Sequence, residues 1–383
     1  MPAYYYVYDR SNAGCDGTAT DNDCYDIKIV SSTSGADRNG DGTISTAEAD
    51  ERQNFANWYS FYRTRNLMTI SATSLAMATL QQDVRVAWQD LKNCKGSTGL
   101  VTSNCKGWDT TVPGSSNAIK PFTGTHKGDF YTWLTRLPTR SSTPLREATA
   151  RVGVYYQTSG VNSPYDDEIG GSSNHEYTCR ANYHLLMTDG IWNDSVSGYG
   201  NIDNSNHTLP DSTTYTSQRP YRDETSNTLA DIAFKFWATD LRSDLADKVA
   251  PSIVDLSGNA ASRYFNAKND PATWQHMVNF TVGLGLTPFL ANSGLAWGSN
   301  TYDGSYPDIV SGTKSWPAAG SNADANAADL WHAAINSRGR FYNVEGPSQL
   351  NTAFQEIIDT VSAQAANGGG AGLSANTTKI AFD

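Results

Sequence analysis

The sequence has no long apolar run, so no stretch of it reads as a membrane span. Charge is scarce, at 17% of residues, and lysine is sparse. The balance is acidic: 39 Asp and Glu against 28 Lys and Arg, for a net charge of −11. An acidic chain gains nothing from phosphate backbones, which argues against a nucleic-acid partner. No two cysteines stand in a C-x-x-C arrangement, so zinc and thiol-exchange chemistry fit poorly. The common catalytic signatures are missing. There is no H-E-x-x-H, no G-x-S-x-G and no Walker A loop, and "GLGLTP" at 283–288 lacks the third glycine of a dinucleotide loop. Nor does the chain open on an export signal, since "PAYYYVYD" has neither a basic start nor a small-residue cleavage site.

Gly, Asn, Ser, Thr, Tyr and Trp are abundant instead, a composition common in secreted and surface proteins. Of the five cysteines, Cys15 and Cys24 flank one short polar loop and Cys94 and Cys105 another. Each pair is predicted to bridge its own loop, which implies an oxidising compartment. Cys179 is left over, as a buried thiol or with a partner outside this chain. Secreted character without an export signal suggests a fragment.

The most specific motif is "DRNGDGTISTAE", Asp37 to Glu48. Calcium takes about 6–8 oxygen ligands, and a loop can offer them from alternate positions if it turns sharply in the middle. Asp37, Asn39 and Asp41 occupy positions 1, 3 and 5, with Gly42 at the turn. Thr43 would offer its carbonyl, Ser45 a bridging water and Glu48 two closing oxygens. The alternative is a solvated Asp/Asn/Gly turn. A sensor hand needs a helix on both sides. Phe55, Trp58, Tyr59 and Tyr62 mark the exit helix by their i, i+3, i+4, i+7 spacing, but "CYDIKIVSSTSGA" on the entry side reads as a strand and loop. A calcium ion here is expected to staple a loop to the start of a helix.

Residues 1–36 read as two short strands around the first cysteine loop. A long helix is expected over 46–80, a strand over 83–91, a loop-rich excursion over 92–126 and helices over 128–137 and from Thr143-Pro144 to about Tyr156. Buried strands are expected at 181–190 and 277–286, with a helix striped by Leu229, Ile232, Ala233, Phe236 and Trp237 between them. A Gly/Ser/Trp loop region over 287–322, the helix "ANAADLWHAAINS", the strand "GRFYNV" and a final amphipathic helix follow. "AANGGGAGLSAN" reads as a flexible linker. Helices alternating with strands argue for a mostly parallel sheet covered on both faces, with ligands beyond the carboxyl ends of its strands. That placement singles out Asp189, which ends "YHLLMTDG", and Thr143, which opens a helix after a loop.

"LLMTDG" after an apolar strand, "TPL" opening a helix and this element order together resemble a von Willebrand factor A domain. Five ordered blocks, "ERQNFANWYSFYRTRN", "RLPTRSSTPLREA", "CRANYHLLMTDGIWN", "TWQHMVNFTVGLG" and "DLWHAAINSRGRFYNV", resemble the N-terminal region of the PilY/PilC family of type IV pilus tip proteins over about 50–365. The resemblance implies a secreted bacterial protein at the pilus tip, cell surface or outer membrane, working with minor pilins in biogenesis and adhering to host or abiotic surfaces. It also implies three parts: N-terminal strands with the inserted calcium loop over 1–45, a von Willebrand factor A-like domain over 46–365, and a linker over 366–383 towards a missing C-terminal domain. Insertions in the domain are expected at about 92–126, 160–180, 191–225 and 287–322. The family-type adhesion site holds a Mg2+-type ion with Asp-x-Ser-x-Ser, a Thr and an Asp. Thr143 and Asp189 match the last two elements. Asp9 and Ser11 are the nearest match to the first, but Ala13 replaces its second Ser.

Plainer readings stand beside these. Thr143 with Pro144 is also an ordinary N-cap and N1 pair, and Asp189-Gly190 an ordinary strand-ending turn. His184 and His332 read as satisfied core histidines, and the acids of "YDDEIGG" at 165–171 as a solvated loop that a second calcium could use. The reading is non-catalytic. A structural pilus-priming subunit without external ligand and a glycan-active enzyme are the alternatives.

Overall fold

Tyrosines and β-branched residues on both sides of a short Gly/Asp loop make the first hairpin. In the computed structural model, which describes residues 3–18, 20–30, 51–80, 84–91, 117–135, 143–169, 171–172, 174–188, 191–368 and 379–382, the chain forms two compact units, 1–71 and 72–383. In the first, β1 (Ala3–Tyr8) and β2 (Tyr25–Val30) pair antiparallel, with Tyr8 opposite Tyr25 and their rings 5.4 Å apart. A Cys15–Cys24 disulfide closes the loop between them. Two helices follow, α1 (Glu51–Phe61) and α2 (Arg65–Ala78), and the boundary between the units falls within α2, after Ser71. The single helix expected over 46–80 is therefore broken. Thr64 supplies the reason, because its hydroxyl accepts from the N–H of Leu67 at 3.2 Å and starts a new helix. The aromatic stripe of α1 clusters around Phe55, yet Trp58 and Tyr59 stay about half exposed.

The second unit is built on a six-stranded sheet. Its elements run β3 (Arg85–Trp88), β4 (Lys120–Pro121), α3 (Gly124–Leu134), α4 (Leu145–Tyr156), β5 (Asn182–Thr188), a small hairpin of β6 (His207–Thr208) and β7 (Thr214–Tyr215), α5 (Leu229–Ala238), α6 (Ala260–Tyr264), β8 (Met277–Leu284), α7 (Thr287–Asn292), α8 (Tyr306–Ser311), α9 (Ala323–Asn336), β9 (Phe341–Val344), α10 (Pro347–Gly368) and β10 (Lys379–Phe382). The strand order is β4-β3-β10-β5-β8-β9. All neighbours are parallel except the antiparallel edge strand β4. The expected mostly parallel α/β sheet is present. β5 and β8 read as near-continuous apolar runs because a central parallel strand is covered on both faces, and every residue of β8 is buried. A polar pair enters this core: His184 on β5 meets the side chain of Asn279 on β8 at 2.7 Å.

α4 packs on β5, α5 and α9 pack on β8 and on each other, and α10 packs on β9. Trp237, Trp274 and Trp331 are fully buried in the largest core cluster. Gly153 of α4 lets α5 approach, since a Cβ there would fall inside the Phe236 ring.

Several expectations give way. The loop region at 287–322 contains the short helices α7 and α8, which are too brief to leave a periodic signal. The described end of the 92–126 excursion holds β4 and the start of α3, four residues before the expected helix. Within the expected linker, residues 379–382 form β10 and fill the slot between β3 and β5. An open slot would leave two rows of backbone groups unpaired, and a four-residue strand satisfies both.

Candidate functional site

The expected ligand position is the carboxyl end of β5 and the loops beside it. Asp189 lies outside the described residues, and the chain is described again from Ile191. Thr143 and the loop after β5 are joined directly. The N–H of Thr143 donates to the side-chain oxygen of Asn193 at 2.7 Å, and the N–H of Asn193 donates to the carbonyl of Thr143 at 3.1 Å. The structure thus holds Thr143 against a residue four positions beyond Asp189. Thr143 does not cap α4. Pro144 occupies the N-cap and no side chain of its own end serves the first turn.

That service comes from Asp194, which accepts the N–H of Glu147 at 2.8 Å and the Nε of Arg146 at 3.2 Å. A carboxylate at a helix N-terminus is favoured by the helix dipole and by orphan N–H groups. Arg146 also donates to the carbonyl of Asp194, and its guanidinium lies 3.7 Å from the centre of the Trp192 ring. Trp192 in turn donates to Asp329 at 2.9 Å. Asp329, on α9, accepts the N–H groups of Leu229 and Ala230 at 2.8 and 3.0 Å and so caps α5. Burial pushes its carboxyl up to about 6, against the pull of His332 and of those donors. Asp231 closes the capping box of the same helix with Thr228. The result is a loop after β5 clamped to α4 and to α9, with Asp329 of α9 capping α5 in turn.

Spacing does not single out the residues of this clamp: Trp192 and Asn193 close the block "CRANYHLLMTDGIWN" without a role of their own there, and Asp194 lies just beyond it. For Asp231 and Asp329 a signal exists: each is an aspartate inside an apolar helical stripe, "LADIAF" and "AADLWH". Of the donor set implied for an adhesion-type ion, Thr143 is described in the second unit and the candidates Asp9 and Ser11 in the first. Asp9 and Ser11 belong to the hairpin of the first unit and not to the sheet. Asp9 accepts both the N–H and the hydroxyl of Ser11, at 2.8 and 2.6 Å, in the β1–β2 hairpin. The calcium loop (Asp37, Asn39, Asp41, Thr43, Ser45, Glu48) and Cys94 and Cys105 fall outside the described residues. In the acidic stretch 165–171, Asp166 is not solvated. It is fully buried and accepts the N–H groups of Glu168 and His175.

A second feature sits at the edge strand β9. A cleft of about 710 Å³ opens there, lined by Trp297, Asn300, Arg340, Tyr342, Gln349 and Glu356 among others. Aromatic faces beside forked donors and a carboxylate suit a polar ligand with an apolar face.

Fold and loops together define an α/β protein with a mostly parallel sheet and polar insertions braced around the carboxyl end of a central strand. Over 364 residues, 95% of this chain, it is 43% identical to the type IV pilus biogenesis factor PilY1 of Pseudomonas aeruginosa strain PAK. Against the factor of the same name from strain UCBPP-PA14, identity is 40% over 94% of the chain. The likeness to this family seen in five sequence blocks therefore extends along nearly the whole chain. The chain spans 29% of the length of the strain PAK relative. No family model matches the chain. No solved structure matches it. Among the described residues no helix is long and apolar enough to cross a membrane.

Proposed function

We propose that this chain is a non-catalytic adhesion and biogenesis module of a type IV pilus, of von Willebrand factor A type, presented at the pilus tip outside the cell. The observation that carries the reading is the identity to PilY1 along 95% of the chain. The clamped loop at Thr143 and Asn193 supports the von Willebrand factor A part, because it puts a hydroxyl residue beside the loop that follows Asp189. In this reading Thr143 and Asp189 help hold a Mg2+-type ion in the intact protein, and the ion takes a carboxylate from a host or abiotic surface. The loop from Asp37 to Glu48 holds Ca2+ and stiffens the N-terminal unit. Minor pilins are the partners in assembly.

The test is a domain exchange. In a piliated bacterium lacking its own PilY1, a PilY1 carrying this chain in place of the matching region is expected to restore surface pili and attachment. Thr143→Ala in the same chimera is expected to keep the pili and weaken attachment. A chimera that is secreted at normal levels yet restores no pili rules the biogenesis reading out. Pili with normal attachment by the Thr143→Ala form favour the priming subunit without external ligand, a reading to which the relatives' name, biogenesis factor, lends weight.

A further inference from the structure

Three side chains from distant parts of the chain meet in the core of the second unit: Asp203 from the turn before β6, Asp223 from the loop before α5, and His332 from α9. All three are buried, and one ligand-capable atom from each lies within 4.8 Å of the other two. Asn336, one helical turn beyond His332, is fully buried beside them and donates to Asp203 at 2.7 Å.

The bonding around His332 is unusual for a core histidine. Its Nε2 lies 2.5 Å from the carbonyl of Tyr221, so that nitrogen carries the proton and donates. Its ring is held flat against Trp316, with centroids 4.5 Å apart and planes 16° from parallel. Nδ1 then faces the carboxylate of Asp223, whose Oδ2 is 3.4 Å away. A ring nitrogen and a carboxylate oxygen that face each other in a dry interior need either a proton or a metal ion between them. Asp223 Oδ2 has no hydrogen-bond partner, and neither has the amide oxygen of Asn336. The remaining oxygens are in use: Asp203 accepts from Asn336 and from the N–H of Asp223, and Asp223 Oδ1 from the N–H of Thr225. Asp203 Oδ2 lies 3.6 Å from Nε2, so the two carboxylates flank the ring, one beside each nitrogen. A histidine that donates one N–H to a backbone carbonyl while the other nitrogen faces a carboxylate is the arrangement that orients imidazole towards a metal.

We propose that Asp203, Asp223 and His332, with Asn336 beside them, form a structural site for a divalent first-row transition ion of the Mn2+ or Zn2+ kind. Carboxylate and amide oxygens with one imidazole nitrogen are the mixed donor set such ions take, whereas Ca2+ and Mg2+ favour all-oxygen shells. None of these residues belongs to the sets Thr143 with Asp189 or Asp37 to Glu48. Its role is to join α9 to the polar insertion over 201–228, which has little secondary structure of its own. Without a metal the same groups must be balanced by protons. Burial would push Asp203 up to about 8; for His332 burial works downward, but the facing carboxylates win and raise it to about 9. Because every ligand is buried, the ion enters as the chain folds.

The experiment is refolding of the full chain from guanidinium and chelator, with and without Mn2+, followed by gel filtration and metal analysis. One retained Mn2+ per chain is expected, with a thermal midpoint about 5 °C higher than in the metal-free sample. Electron spin-echo spectroscopy of the bound Mn2+ should show a directly bonded imidazole nitrogen. Asp223→Asn and His332→Gln should each lose the retained ion. Wild-type chain that retains no Mn2+, or retains it without nitrogen coupling, overturns the proposal, as does undiminished retention by both variants. Should neither variant fold, the nitrogen coupling in the wild-type chain decides by itself.

Discussion

Thr143 and Asn193 hold each other in both directions, the first donating to a side-chain oxygen and the second to a backbone carbonyl. The pair joins the start of α4 to the loop after β5. Asn193→Ala removes one of these bonds and leaves the N–H of Thr143 to solvent. A loss of about 1 kcal/mol in denaturant unfolding is expected. Hydrogen exchange should speed up at residues 143–147 and 191–194 while β8 stays protected.

Asp194 carries more. It serves the first turn of α4 and faces Arg146, and both side chains are at least nine-tenths buried. Asp194→Ala would strand a buried guanidinium and an open helix end together. The expected cost is about 3–5 kcal/mol by urea unfolding. Asp194→Asn should cost less, because the amide oxygen can still accept from Glu147.

Gly153 is where α4 and α5 touch. Gly153→Ala drives a methyl group into the Phe236 ring, which has no free volume to enter. Overpacking of this kind costs about 1–3 kcal/mol, and thermal unfolding of Gly153→Ala should register it. The double variant Gly153→Ala, Phe236→Leu should recover part of the loss.

His276 and Asp270 make a buried pair at 2.8 Å. Burial pushes His276 down, but the charge and hydrogen bond of Asp270 and the carbonyl of Trp274 outweigh it and its proton is held more tightly, with Arg338 opposing. Asp270 is likewise pushed up by burial and then held below its usual value by His276, Trp237 and Arg338. His276 therefore stabilises fully below its unfolded value of about 6.5 and loses that contribution as pH rises through its higher folded value. Asp270 contributes fully above about 3.9 and fades as pH falls through its lowered value. The pair helps most between about pH 4 and 6.5. The stability gap between wild type and His276→Gln, measured by urea unfolding, should be larger at pH 5.5 than at pH 9.

Calcium at the Asp37–Glu48 loop is testable from sequence chemistry alone. Calorimetry should find one Ca2+ site that Asp41→Ala abolishes. Chelation should lower the thermal midpoint and open residues 31–50 to protease. Unchanged melting and cleavage on chelation would reduce the motif to a polar turn.

Much of the architecture was legible in the chain. β5 and β8 announce themselves as apolar runs, α5 and α9 as apolar stripes, and Cys15 and Cys24 as a pair nine residues apart that does bridge. The signals that failed were short or non-local. Thr64 divides a helix with one hydroxyl, α7 and α8 are six residues each, and β10 is recognisable only once the gap between β3 and β5 exists. The site was half legible. Thr143 could be placed by its position before a helix, whereas Asn193 and Asp194 acquire meaning only from what they touch.

Sequence by itself determined the alternation of strands and helices, the acidic and loop-rich surface, the calcium-type spacing and the likeness to the PilY-type pilus factors. Those depend on local propensity, periodicity and composition, which are properties of neighbours in the chain. Tertiary structure alone decided that Asp329 caps a helix a hundred residues away and that His332, legible as an ordinary core histidine, faces two aspartates. Asp203 and Asn336 are 133 positions apart in sequence and 2.7 Å apart in space. Nothing local encodes such a meeting, because the cost of burying each carboxylate is set by the partners that the completed fold brings to it.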